Sequence, residues 1–67
     1  MSKGKVSEYD CGRGYGHITD SLTGESLVVY AKCVDSDTGQ FLREGQSVEF
    51  QIEYHTSQNW AVYVRIV

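Results

Sequence analysis

The sequence has no excess of positive charge, only two cysteines, and no apolar run longer than a few residues. Six lysines and arginines against nine aspartates and glutamates leave a net charge of −3 in 67 residues. That balance argues against a basic arm or a strongly cationic clamp, although a local patch can differ from the mean. A membrane-spanning helix needs about 20 consecutive apolar residues, which excludes one here, so no membrane partner is expected. The first residues also lack the apolar stretch of a signal peptide, so the cytoplasm is the expected location. Cys11 and Cys33 are too few and too far apart for the disulfide framework of a small secreted domain, and read as free, reduced thiols. Adding His17 and His55 makes a notional four-ligand zinc set, but neither pair has finger-like spacing. No metal or cofactor is assigned.

Repeats, low-complexity tracts and charge blocks are absent too, so there is no linker at which to divide the chain. Residues 1–67 are expected to form one domain. A chain of this length buries only about 60% of its unfolded surface, which calls for one shared core.

What is present is glycine as punctuation, with short segments between the breaks in which apolar residues recur at every second position. That period marks half-buried strands. Five are expected: Lys3–Asp10 with Val6 inward, Gly14–Thr19 with Ile18 inward, and Ser26–Ala31 with Leu27, Val29 and Ala31 opposing Val28 and Tyr30. Ser47–Glu53 follows, with Val48, Phe50 and Ile52 against Glu49, Gln51 and Glu53. In Trp60–Val67, Val62, Val64 and Ile66 oppose Tyr63 and Arg65, and Trp60 shares their phase. A helical turn or irregular loop is expected within 32–43, and Asp20, Glu25, Asp35 and Asp37 read as turn or loop-tip acids. So few short strands hide their edges best by closing into a barrel.

The informative stretch is Arg13-Gly14-Tyr15-Gly16-His17-Ile18. Residues two apart on a strand lie about 6.5 to 7 Å from each other on one face, a spacing suited to successive unstacked bases. Glycine between the rings would let a ligand's backbone come close, and Arg13 at the edge can meet a phosphate. If the next strand pairs antiparallel, Tyr15, His17, Val28 and Tyr30 share one surface. Exposed aromatics on a sheet hold single strands by stacking, at about 1 to 3 kcal/mol per base.

These residues resemble the bacterial cold-shock proteins and their relatives, the cold-shock domains. The resemblance runs over nearly the whole chain, with a small length change before Leu27. Lys3-Gly4-Lys5-Val6 looks like the family's opening, and Gly14-Tyr15-Gly16-His17-Ile18 like its first ribonucleoprotein motif. Leu27-Val28-Val29-Tyr30 stands in the second motif, and Glu44-Gly45-Gln46-Ser47-Val48-Glu49-Phe50 is close to the late loop-and-strand signature. The resemblance implies an all-β fold, a five-stranded antiparallel OB-fold barrel that binds single-stranded RNA or DNA through strands two and three. Carried over residue by residue, Tyr9, Tyr15, His17, Val28 and Tyr30 meet bases, and Lys5 and Arg13 face phosphates. The chain departs from the pattern at Glu8, where relatives carry tryptophan, and at His17 and Val28, where they carry phenylalanine. It also has no proline, which relatives often place in the last hairpin. Three lost stacking surfaces at about 1 kcal/mol each would weaken binding by roughly two orders of magnitude. Trp60 is the candidate replacement platform.

Nothing in the sequence arranges a carboxylate pair, or a serine or cysteine beside a base, for catalysis, and no enzyme is expected. The reading is a divergent single-stranded nucleic-acid binder, acting as a regulator or RNA chaperone. The alternative is a barrel that has kept the fold and serves as a protein-interaction or accessory module; Glu8, Asp10 and the missing phenylalanines favour it.

Overall fold

A computed structural model describes residues 1–34 and 42–67. Asp35, Asp37 and the break at Gly39 lie outside the described residues, as does most of the loop expected within 32–43. Five strands are present: β1 (Ser2–Asp10), β2 (Tyr15–Asp20), β3 (Ser26–Tyr30), β4 (Ser47–Glu53) and β5 (Trp60–Ile66), with a 3₁₀ turn at Ala31–Cys33 after β3. They close into a barrel in the order β1-β2-β3-β5-β4, and β4 returns to β1. Four contacts are antiparallel, while β3 and β5 run parallel through Val28↔Trp60 and Val29↔Ala61. The parallel contact follows from the count. An odd number of strands cannot alternate direction all the way round a ring, so one neighbouring pair must agree.

The core is the inner phase of each strand. Val6, Ile18, Leu27, Val29, Val48, Phe50, Ala61 and Val64 are almost wholly buried, joined by Val34 and Leu42 on either side of residues 35–41. Aspartates close two of the turns, as expected for residues whose short carboxylates bond nearby backbone. Asp10 Oδ1 accepts from the N–H groups of Gly12 and Arg13. Asp20 Oδ1 accepts from those of Leu22 and Thr23, and Asp20 is itself buried rather than a solvated tip. Among the described residues, no helix is long and apolar enough to cross a membrane.

Two bulges overturn the simple alternation. In β5, Gln51 pairs with Val62 and Glu49 with Arg65, so Tyr63 and Val64 together face Phe50. Tyr63 takes a left-handed backbone, φ 52°. The extra residue reverses the phase, as bulges do. Ala61 and Val64 therefore both point inward, and Trp60 and Val62, expected in phase with Val64, belong to the outer face. In β1 the register passes from Val6↔Ile18 to Glu8↔His17, leaving Ser7 as the extra residue. Glu8 then turns outward and Tyr9, opposite Gly16, turns inward. Ala31, expected inward on β3, is exposed because the strand has already given way to the 3₁₀ turn.

Candidate functional site

The outer face of β2, β3 and β5 carries two cross-strand rows. One is Asp10↔Tyr15↔Tyr30, and the other is Glu8↔His17↔Val28↔Trp60↔Glu53. Paired residues on one face bring their side chains into contact range, and here that collects the rings. The Tyr15 and Tyr30 centroids are 6.3 Å apart, and Tyr30 and Trp60 are 4.7 Å apart. His55, which returns from the β4–β5 loop, stacks on Trp60 at 4.2 Å with planes 22° apart. Four rings thus form a continuous run across the barrel wall, all of them at least partly open to solvent.

The expected site residues divide by this geometry. Tyr15, His17, Tyr30 and Trp60 share the platform. Lys5 is exposed on the outer phase, paired with Thr19 beyond His17. Arg13 lies at the edge, where its guanidinium donates to the Tyr15 hydroxyl at 3.5 Å and stands 3.7 Å from Asp10. The contact with Tyr15 first, and then the Asp10 carboxylate, hold that guanidinium more firmly protonated than usual. Val28 belongs to the outer row by register but is only 6% exposed, lying between His17 and Trp60 in the ladder. It supports the platform more than it presents a surface. Tyr9 falls on the other phase and packs against the core; burial, and secondarily Cys11, pushes its phenol upward. Gly16 is inward as well. A β-carbon there would collide with the Glu8 carbonyl oxygen and Tyr9 Cα, so the missing side chain makes room for β1 rather than for a ligand.

Three platform residues were not singled out by sequence reasoning. Lys32 holds its ammonium 5.4 Å from the Trp60 ring centroid and 6.0 Å from that of Tyr30, within the range of a cation–π contact. His55 was considered only as a zinc ligand, and Glu53 only as a polar strand residue. Each histidine of the face has its own carboxylate: His17 Nδ1 donates to Glu8 Oε1 at 2.9 Å, and His55 Nε2 to Glu53 Oε1 at 2.6 Å. Cys11 and Cys33 are free, and among the described residues no three potential ligands converge on a metal position. A hollow of about 450 Å³ opens beside Trp60 between Lys32, Cys33, Glu53 and Tyr63. A smaller one of about 270 Å³ lies between Tyr9, Asp10, Arg13 and Tyr15.

Comparison with known proteins bears on what such a face does. The family described as "'Cold-shock' DNA-binding domain" matches residues 2–67. The chain is 34% identical over 65 residues to a cold shock-like protein of Thermotoga maritima, covering 97% of each. It is 38% identical over 50 residues to cold shock protein CapA of Pseudomonas fragi, covering 75% of this chain and 78% of that one. A cold shock-like protein CspA of Stigmatella aurantiaca is 33% identical over 52 residues, 78% of this chain and 76% of its own.

Proposed function

Because the chain belongs to the cold-shock domain family, we propose that it binds single-stranded nucleic acid by stacking bases on the outward rings of β2, β3 and β5. The observation that carries this reading is the run Tyr15–Tyr30–Trp60, three rings from three adjacent strands with centroids 6.3 and 4.7 Å apart. Flat faces of this kind accept any base, at about 1 to 3 kcal/mol each. Lys32 beside Trp60, Arg13 beside Tyr15 and Lys5 beyond His17 lie around the run to meet phosphates.

The platform is displaced from the one the family resemblance implied. Glu8 and Val28 offer no ring and Tyr9 faces the core, while Trp60, His55 and Lys32 supply the opposite end of the row. Relocation onto β5 offsets part of the stacking lost at β1. Stacking that accepts any base suits a protein that keeps strands unpaired, as an RNA chaperone or a regulator.

The test is a titration of short single-stranded oligonucleotides at low salt, followed by amide shifts and by the fluorescence of Trp60, the sole tryptophan. Shifts at Tyr15, Tyr30 and Trp60, with quenching that fades as salt is added, support the reading. No response at high micromolar ligand favours the protein-interaction alternative, for which the carboxylates at both ends of the outer row are the supporting feature.

A further inference from the structure

Glu8 is the anomaly of the platform. The bulge at Ser7 turns it outward into the row of His17, so a carboxylate stands where a stacked strand would pass. Its side chain is 69% exposed, and His17 donates to Oε1 at 2.9 Å. Among the described residues Oε2 has no partner. A carboxylate repels phosphate, and when ionised it can only accept hydrogen bonds. Resting on the nucleic-acid reading above, we propose that Glu8 is a specificity-determining residue that recognises guanine by its Watson–Crick edge, with His17 as the positioning residue that holds the carboxylate in place.

The chemistry of the bases selects the partner. A base lying along Tyr15 and His17 can point an edge toward β1, where Glu8 and Asp10 lie opposite those two residues. Guanine presents two adjacent donors there, N1–H and N2–H, which match the two oxygens of one carboxylate. Adenine and cytosine each set one amino donor beside a ring-nitrogen acceptor. Thymine and uracil hold a single N3–H between two carbonyl oxygens, which repel the carboxylate. Hydrogen bonds to an ionised group are the stronger kind, and a paired set adds geometric selectivity.

The other acids of the face are placed differently. Asp10 spends Oδ1 on the N–H groups of Gly12 and Arg13, and its Oδ2 faces the Arg13 guanidinium at 3.7 Å. Glu53 holds His55, whose ring covers Trp60. Glu25 accepts from Asn59 at 2.9 Å. Glu8 is set apart by its place: it lies opposite His17 at the β1 end of the row, with Oε2 unpartnered among the described residues and a second lone pair left on Oε1.

The experiment compares thymidine heptamers carrying one central guanine, inosine or adenine, and the matching uridine heptamers, against the wild-type protein and Glu8→Gln. Inosine differs from guanine only by the missing N2 amino group, so the wild-type comparison needs no variant to fold. The expected result is guanine bound about tenfold more tightly than inosine or adenine, equivalent to about 1.4 kcal/mol. The ratio should match in DNA and RNA, because the contact is to the base. Glu8→Gln should bring the guanine-to-inosine ratio close to one, since its amide nitrogen sets a donor against guanine's donors. A wild-type ratio of one, a ratio that survives in Glu8→Gln, or a ratio seen with one sugar only would overturn the assignment while leaving the stacking platform standing. Failure to bind any heptamer, all-thymidine included, would overturn both.

Discussion

Tyr30 and Trp60 lie 4.7 Å apart, centroid to centroid, on the parallel pair β3 and β5. The parallel strand pair of the barrel therefore carries a close tyrosine–tryptophan approach on the outer face. Tyr30 also faces Tyr15 across the antiparallel pair, so it stands between Tyr15 and Trp60 in the run. Tyr30→Ala should weaken oligothymidine binding by about 5- to 150-fold, the loss of one stacking surface of about 1 to 3 kcal/mol. Tyr30 is only half-buried and lies outside the core cluster, so thermal unfolding should stay cooperative. Wild-type affinity in a folded Tyr30→Ala protein would place the ligand elsewhere.

Lys32 tests the electrostatic half of the same face. Its ammonium hangs over Trp60 and Tyr30 with no carboxylate bonded to it among the described residues. A cation that neutralises one phosphate contributes about 0.7 to the slope of log affinity against log salt on a single strand. Lys32→Gln should reduce that slope by about this amount and weaken binding at low salt across all sequences alike. An unchanged slope would mean that Lys32 serves only the aromatic rings.

Much of the fold was legible because period-two alternation survives wherever the ladder is regular. Ser47–Glu53 has the limits its pattern predicts, and the second and third strands pair antiparallel, the condition on which Tyr15 and Tyr30 share a surface. What escaped was set by the bulges. Nothing at Ser7 or Tyr63 announces one: neither is glycine, and tyrosine is a common strand residue. Yet these two positions decide that Glu8 and Trp60 face outward and that Tyr9 faces the core. Lys32 and His55 were missed for a different reason. They reach Trp60 only because β5 closes against β3, a contact that no local spacing encodes. The burial of Val28 is likewise a property of its cross-strand neighbours, not of its own period.

Tyr63 offers a test of the bulge itself. Its φ of 52° lies in the left-handed region, which costs a side-chain-bearing residue roughly 1 to 2 kcal/mol. The side chain is largely exposed and forms no part of the core cluster, so little packing is lost when it is removed. Tyr63→Gly should raise stability by up to about 1 kcal/mol, with the flexibility of glycine in the unfolded chain taking back the remainder. Tyr63→Val should lower it, because branching at Cβ makes that backbone harder still. Chemical denaturation of the two variants checks the pair; the opposite order would mean that the strand passes Phe50 without a bulge.

Glu49 and Arg65 supply the pH dependence that the fold should show. They face each other across β4 and β5, where Arg65 Nε and Nη2 both donate to Glu49 Oε1 at 3.1 and 2.9 Å. These bonds, against a smaller opposing effect of burial, hold the Glu49 carboxyl below its ordinary value of 4.5, and the charges of Arg65, Lys3 and the N-terminus assist. A carboxyl lowered by folding stabilises the folded state wherever it is ionised in both states. That contribution is present in full above the ordinary glutamate range and disappears as pH falls through the lowered folded value. Glu49→Gln, which keeps the shape and loses the charge, should therefore be less stable than wild type near pH 6, and the gap should narrow below about pH 4.5. Added salt should narrow it at pH 6 as well, because the pair is partly open to solvent. Unfolding curves of both proteins from pH 3 to 7 make the comparison; a gap that is constant across the range would show that the amide disturbs packing and that the ion pair contributes nothing.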